Sequence, residues 1–194
     1  MWSLLKACLA IVCRRNLLLV VLNWLFFSGM VVGALLKQAG LIGGYRWPVG
    51  DDVFSQGAAS LPLLVLSIFV FNLVVSGFVV VTLSGFLFFG LSVVFLLYRA
   101  WLWGMLLTGL GTPLFLAALP TLILEGEGYV LAAWVGINMG LSWLKPKWAY
   151  RGEDLSWLKS VKRAFKDSLR VYVLVGVFLL VAAIVEVITI FLAF

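Results

Sequence analysis

Long runs of apolar residues, almost free of charge, dominate this chain of 194 residues. A transmembrane helix needs about 20 mostly apolar residues to cross the hydrocarbon of a bilayer. Hydrophobic residues make up 64% of the chain and charged residues 11%, whereas a soluble domain has about 45–50% and about 25%. A water-exposed surface cannot be built from this composition. We therefore predict an all-α, polytopic transmembrane bundle in a single domain, and we exclude a disordered chain and a nucleic-acid-binding domain.

The apolar runs divide into five predicted spans, which lie at about 17–36, 73–97, 101–119, 121–144 and 171–194. Pro113 removes a backbone donor, so the segment Gly109–Pro113 is expected to be broken or re-entrant. Pro120 stands before the first turn of the following span, where proline is tolerated, and it separates that span from the one before.

Amphipathic helices are predicted to lie in the membrane interface at about 2–15, 60–72 and 154–169. In the last of these, apolar residues recur at three- and four-residue steps while lysines and arginines fill the other faces. The apolar stripe consists of Leu155, Leu158, Val161, Phe165 and Leu169. The lipid bilayer is thus the first expected partner.

The distribution of basic residues predicts the orientation. With five spans and a cytoplasmic N-terminus, twelve of the fourteen lysines and arginines lie on the cytoplasmic side, including Arg99 in the loop between the second and third predicted spans. Positive charge is enriched on that side of membrane proteins. The sequence therefore predicts a multi-pass protein of the cytoplasmic membrane with its C-terminus outside.

The chain has no histidine and two cysteines, Cys8 and Cys13. Histidine-activated nucleophiles and HExxH zinc sites are therefore excluded. Two thiols at i, i+5 on one helix are poorly placed for a disulfide, and they make a poor metal site. We expect no catalytic residue, no metal site and no cofactor, and we interpret both cysteines as small apolar residues.

Polar side chains at membrane depth are costly and need an explanation. The candidates for an intramembrane polar hub are Asn72, Glu125, Glu127, Asn138 and Glu186. Glu125 and Glu127 point about 200° apart on an ideal helix. One interpretation of these two glutamates is a polar hub that binds a ligand, a proton or a partner helix. The alternatives are a carboxylate stabilised at a helix start or a carboxylate exposed at the membrane interface. Glu186 is expected to make an interhelical or intersubunit hydrogen bond.

Two GxxxG patterns predict close helix packing, Gly29 with Gly33 and Gly136 with Gly140. Glycines at this spacing let two helix backbones approach each other. Asn138 lies inside the second pattern, so its amide is expected at the closest contact.

The region around the fourth predicted span resembles the stage II sporulation protein M family. Pro120 and Glu125 match the proline and glutamate of that family in identity and spacing, and Gly136 and Gly140 match the small-residue helix step that follows. Asn72, Gly85, Gly90 and the pair Lys145-Pro146 also resemble family positions, whereas Thr121 and Leu122 stand where histidine and glycine are usual. The resemblance implies a prokaryotic inner-membrane bundle. In spore-forming bacteria it implies a scaffold that anchors cell-wall-remodelling enzymes, and in other relatives, including archaeal ones, it implies no settled role.

Two functions remain open at this point. The first is a non-enzymatic membrane scaffold or assembly subunit, working as a homo-oligomer or in a hetero-complex with other membrane proteins. The alternative is a subunit of a transporter or channel with a polar cavity around Glu125, because broken helices at membrane depth are tolerated around cavities.

Overall fold

A computed structural model describes residues 2–42, 61–108, 112–150, 153 and 155–193. Helices account for 92% of these residues, and no strand occurs among them, which confirms the predicted all-α fold. Five of the described helices are long and apolar enough to cross a membrane, as predicted. The helices in chain order are α1 (Trp2–Cys13), α2 (Asn16–Gln38), α3 (Leu61–Leu87), α4 (Phe89–Leu107), α5 (Thr112–Leu144), α6 (Pro146–Ala149) and α7 (Trp157–Ala193).

The second and third spans have different boundaries from those predicted. The predicted interfacial helix at 60–72 is the first part of α3, which continues as a π-helix over Phe71–Leu83 and ends at Leu87. The break before α4 falls at Phe88, whose extended backbone has φ −150° and ψ 118°. The polar stretch around Arg99 suggested a loop there, but the charge of Arg99 is matched inside the bundle, so α4 continues through it.

The break between α3 and α4 is hydrogen bonded. Ser92 donates its hydroxyl to the carbonyl oxygen of Val81 at 2.7 Å, and the indole N–H of Trp143 donates to the carbonyl of Phe86 at 2.6 Å. Helix ends leave carbonyl groups without partners inside the helix, and Trp143 supplies a donor to such a group. The Val81 carbonyl also accepts from the backbone N–H of Ser84, so Ser92 adds a second donor there. Neither of these two carbonyl groups is therefore left without a donor, and the side chain of Phe88 itself lies on the outer surface, 52% exposed.

The predicted spans at 101–119 and 121–144 are also reorganised. α4 ends at Leu107, and α5 begins at Thr112 and runs through Pro120. Pro113 occupies the second position of α5, where its missing N–H would have no partner inside the helix, so it does not break the helix. Pro120 removes one hydrogen bond without ending the helix, a loss that spans tolerate. The glycines of the predicted re-entrant segment, 109–111, lie outside the described residues.

The last predicted elements form one helix. The interfacial helix predicted at 154–169 and the span predicted at 171–194 are both part of α7, which has 37 residues. No proline or glycine stands between Trp157 and Val175, so nothing in that sequence ends the helix where its character changes from amphipathic to apolar. The basic segment is therefore a rigid extension of the last span.

α5 is the central helix of the bundle. Its residues 129–135 are consecutive and all buried, among them Tyr129 and Trp134. A helix that is apolar on all sides buries all sides. α5 is in contact with α2, α3, α4 and α7, so a side chain on α5 can reach most of the other spans.

α1 packs on the amphipathic part of α7. The Cys8 thiol donates to the carbonyl oxygen of Arg170 at 3.0 Å, and Arg14 forms an ion pair with Asp167 at 2.8 Å. The ring of Tyr150 lies below the guanidinium of Arg14, with 5.0 Å between Cζ and the ring centroid. Burial, reinforced by the Asp167 carboxylate, raises the pKa of Tyr150 to about 12, so its hydroxyl remains a donor to Asp167 at neutral pH.

Replacing Asp167 with asparagine is expected to loosen α1 and to expose Cys8. Burial raises the pKa of the Cys8 thiol, and Cys8 is buried whereas Cys13 is exposed. Because the thiolate is the reactive form, N-ethylmaleimide should label Cys13 first in the unchanged protein. In Asp167→Asn, the labelling rate at Cys8 should rise several-fold while the rate at Cys13 stays constant. Equal rates at the two cysteines before the substitution would contradict this packing.

Candidate functional site

A charged side chain lies in the middle of α4, inside the bundle. One guanidinium nitrogen of Arg99, Nη2, lies 2.7 Å from the hydroxyl of Tyr129, 3.2 Å from Oε1 of Glu125 and 3.3 Å from Oδ1 of Asn72. The side chain of Arg99 is 14% exposed and that of Glu125 is 2% exposed. Arg99 thus joins α4 to α5 through an ion pair that is almost fully shielded from solvent, and it joins α4 to α3 through its hydrogen bond to Asn72.

Tyr129 lies at the centre of this arrangement. Its hydroxyl oxygen is 2.7 Å from Oε1 of Glu125 and 3.0 Å from Oδ1 of Asn72, and the side chain of Ser76 lies near the same hydroxyl. The Cζ atom of Arg99 lies 4.9 Å from the centroid of the Tyr129 ring, which adds a cation–π contact. We refer to Asn72, Ser76, Arg99, Glu125 and Tyr129 as the polar cluster.

Helix periodicity explains how the cluster assembles. Glu125 and Tyr129 are four residues apart on α5 and so share one face. Asn72 and Ser76 both lie on the π-helical part of α3, where hydrogen bonds run from i to i+5. π-helical turns often occur at functional sites. Here the two polar residues of α3 meet the face of α5 that carries Glu125 and Tyr129.

At and near the polar cluster, carboxyl groups outnumber guanidinium groups among the described residues. Glu186 on α7 lies within electrostatic range of both Glu125 and Arg99, so two carboxyl groups are close to one guanidinium. Oε2 of Glu125 is buried and has no hydrogen-bond partner among the described residues. A buried carboxylate oxygen without a donor is costly. The arrangement can therefore clamp three helices together, and its second carboxylate oxygen can accept a proton or contact a cation.

Thr121 lies one turn before Glu125 on the same side of α5. Thr121 occupies the position at which the family that this region resembles usually has a histidine. The side chain is buried, and its Oγ1 has no hydrogen-bond partner among the described residues. The face of α5 that carries Glu125 therefore continues with another polar atom towards the start of the helix.

Two of the residues predicted for the hub lie elsewhere. Glu127 faces α2, where Asn23 approaches its Oε2 at 3.5 Å, because two residues along a helix turn a side chain to nearly the opposite face. Asn138 donates its amide to the carbonyl oxygen of Trp134 in its own helix, at 2.8 Å. The structure thus brings together Asn72 and Glu125, with Glu186 nearby, and separates them from Glu127 and Asn138.

Arg99, Tyr129 and Ser76 are absent from the predicted hub. Arg99 is the one charged residue between Asp52 and Glu125, and this isolation in an apolar region was a usable signal. Tyr129 follows Glu125 by one helical turn, which was a second signal. Nothing in the pattern around Ser76 distinguishes it from other serines in the spans.

Both GxxxG patterns pack inside the bundle. A Cβ atom on Gly29 would lie 3.2 Å from Cβ of Ala100 in α4, and one on Gly33 would lie 2.7 Å from Cδ1 of Trp101. A Cβ atom on Gly136 would lie 2.9 Å from the carbonyl oxygen of Thr82, and one on Gly140 would lie 3.0 Å from the nitrogen of Phe89. These glycines therefore allow α2 to approach α4 and α5 to approach the break between α3 and α4, and they are not free for another chain.

Within the described ranges, no three histidine, cysteine, aspartate or glutamate side chains lie close enough together to hold a metal ion. The residues of the cluster contact one another through hydrogen bonds, an ion pair and a cation–π contact.

Comparison with known proteins gives one informative match. A family model described as Stage II sporulation protein M matches residues 18–189, a range that contains every residue of the polar cluster. No curated protein and no solved structure matches the chain.

Proposed function

The chain belongs to the stage II sporulation protein M family, and from this membership we propose that it is a non-enzymatic scaffold or assembly subunit that organises partner proteins in the cytoplasmic membrane. The observation that supports the proposal is where the charged side chains of the membrane-spanning helices point. Arg99, Glu125 and Tyr129 contact one another across helices. Glu127 contacts a different helix, so the two neighbouring glutamates do not line a common cavity.

A scaffold needs a bundle that is held together by its own helix contacts. The polar cluster links α3, α4 and α5, and the glycines of both GxxxG patterns are used within the chain. What the bundle offers to other membrane proteins is its apolar outer surface. On α2 this surface includes Val20, Trp24 and Val31, which are 63%, 71% and 59% exposed.

The proposed orientation has the N-terminus in the cytoplasm and the C-terminus outside. With Arg99 inside the bundle, eleven of the other thirteen basic residues fall on the cytoplasmic side of a five-span protein. The two exceptions are Lys37 and Arg46. This distribution agrees with the enrichment of positive charge on the cytoplasmic side.

A second candidate function, a subunit of a proton- or cation-coupled transporter, is favoured by one observation. Oε2 of Glu125 is buried without a hydrogen-bond partner among the described residues, and Glu186 brings a second carboxyl group near the same guanidinium. Ionisable groups inside a membrane often mark ion or proton pathways. The scaffold proposal interprets the same atoms as a fixed clamp.

Replacing Glu125 with glutamine separates the two functions. Glutamine keeps an oxygen acceptor for Arg99 and Tyr129 but leaves the guanidinium without its counter-charge, so the yield of folded protein is expected to fall. Per folded molecule, a scaffold should still capture its partners at levels within about twofold of the unchanged protein. We expect Glu125→Gln to leave unchanged the set of proteins crosslinked from a photoreactive residue at Val31 in native membranes. Glu127→Gln is the matched control, since it removes a carboxylate from the same helix outside the cluster.

The parallel measurement is ion and proton flux in reconstituted vesicles. The scaffold proposal expects no flux above that of empty vesicles with either variant or with the unchanged protein. A flux that is present in the unchanged protein, retained in Glu127→Gln and lost in Glu125→Gln would overturn it in favour of transport.

A further inference from the structure

An apolar groove of about 740 Å³ lies between α3, the end of α5 and the first half of α7. Its walls include Phe78 and Phe86 from α3, Met139 from α5, and Leu158, Phe165 and Leu169 from α7. This volume lies in the range of small-molecule sites, about 300–1,000 Å³. Unlike the polar cluster, the groove is lined almost entirely by hydrocarbon.

The few polar groups in the groove already have partners. The hydroxyls of Thr82 and Tyr172 lie 2.6 Å apart, and Ser142 and Ser168 donate to backbone carbonyls of their own helices. A polar solute would find no unsatisfied side-chain partner in these four hydroxyls. An acyl chain needs none, so the interior of the groove fits a hydrocarbon chain.

The α7 wall of the groove carries positive charge. Lys162 lines it and is exposed, and Lys159 and Lys166 are exposed on the same helix, three residues before and four residues after it. Neighbouring charges of α7 are neutralised within the protein, since Arg163 pairs with Glu153 and Asp167 pairs with Arg14. The three lysines therefore leave a positive edge along the α7 side of an apolar groove.

Aromatic residues indicate the depth of that edge. The indole N–H of Trp157 donates to the carbonyl of Trp143 at 3.1 Å, and tryptophan is enriched at membrane–water interfaces. Lys162 lies between this pair and Tyr172, which is ten residues further along α7. At 1.5 Å per residue the groove extends about 15 Å from Lys162 towards the membrane interior.

We propose that this groove binds one anionic phospholipid of the cytoplasmic leaflet, with its phosphate on Lys162 and an acyl chain against Phe78, Phe86 and Phe165. Each lysine near an anionic membrane surface contributes about 1 kcal/mol to such attraction. Lys162 selects the charge of the headgroup, and the apolar walls hold the chain. The proposal holds whether the protein acts as a scaffold or in transport.

The test is a lipid titration of the delipidated full chain, followed by native mass spectrometry. Phosphatidylglycerol should bind at one site more tightly than phosphatidylcholine with the same acyl chains. Lys162→Ala should weaken phosphatidylglycerol binding about fivefold, whereas Lys147→Ala, at another exposed lysine, should not. Leu169→Trp, which narrows the groove, should weaken binding of both lipids, and Leu180→Trp on the same helix outside the groove should not.

Three results would overturn the proposal. One is equal binding of the two lipids by the unchanged protein, and another is unchanged phosphatidylglycerol binding in Lys162→Ala. The third is a crosslink from a photoreactive residue at Leu158 to a polypeptide instead of a lipid. Glycerol 3-phosphate supplies the same phosphate without a chain, and it should fail to displace the lipid.

Discussion

Replacing Arg99 with leucine is expected to destabilise the bundle by about 3–5 kcal/mol, because it leaves the buried carboxylate of Glu125 without its counter-charge. Glu125 is almost completely shielded, and Glu186 lies near enough to add repulsion. Tyr129 and Asn72 also lose their shared donor. The measurement is the midpoint of thermal unfolding in detergent, which should fall by many degrees, together with a lower yield of monodisperse protein.

Two further variants show whether the loss comes from the charge pair. Arg163→Leu removes an arginine from the exposed pair with Glu153, and such pairs contribute about 0–1 kcal/mol. The double variant Arg99→Leu with Glu125→Leu removes both charges, and it should recover most of the lost stability. A midpoint in Arg99→Leu that equals that of Arg163→Leu would disprove the clamp.

Replacing Gly104 with leucine is expected to have an effect of similar size, of about 3 kcal/mol. A Cβ atom at this position would overlap the backbone of Met30, with Cβ 2.8 Å from the carbonyl carbon of Met30 and 2.9 Å from the nitrogen of Ala34. Because these neighbours are backbone atoms of α2, no side-chain rotation can relieve the clash. α2 and α4 would have to separate.

Gly176 provides the matched control, since no atom lies within 4 Å of its ideal Cβ position. Gly176→Leu should be neutral or slightly stabilising, because leucine favours helix more than glycine does. We expect Gly104→Leu to reduce the yield of folded protein at least several-fold relative to Gly176→Leu, measured by fluorescence-detected size-exclusion chromatography. Equal yields would mean that α2 and α4 do not approach each other at Gly104.

The number of spans was predictable because hydropathy is a local sum over about 20 residues. The span boundaries near Arg99 were not. A single charge in an apolar region has two physical explanations, a loop at the interface or a partner inside the bundle. The decision between them depends on Glu125, 26 residues further along the chain, and on Asn72, 27 residues before. Only tertiary contacts carry that information.

The same reasoning applies to the polar cluster. The cost of burying a carboxylate draws attention to Glu125 from sequence alone, and the structure adds what meets it. Tyr129 is an ordinary aromatic residue in an apolar span until its hydroxyl is placed 2.7 Å from Glu125. Glu127 carries an equal cost in the sequence, but the helical rotation of α5 turns it towards Asn23.

The packing of α2 against α4 could be predicted only in part from the sequence. Gly29 and Gly33 were evident as a GxxxG pattern, but the surface that receives them was not. On α4, Ala100 faces Gly29 and Trp101 faces Gly33. Ala100 also forms, with Gly104, a second small-residue pair at the same spacing, and Gly104 contacts the backbone of Met30. A search for any two small residues four apart would have found it.

The length of α7 has a mechanical consequence. A continuous helix of 37 residues measures about 55 Å, nearly twice the thickness of the hydrocarbon layer. One end carries Asp167 and the lysines, and the other carries Glu186. Because the helix is continuous between them, we expect a partner that displaces the lysine-bearing part to shift the part that carries the Glu186 carboxyl group as well.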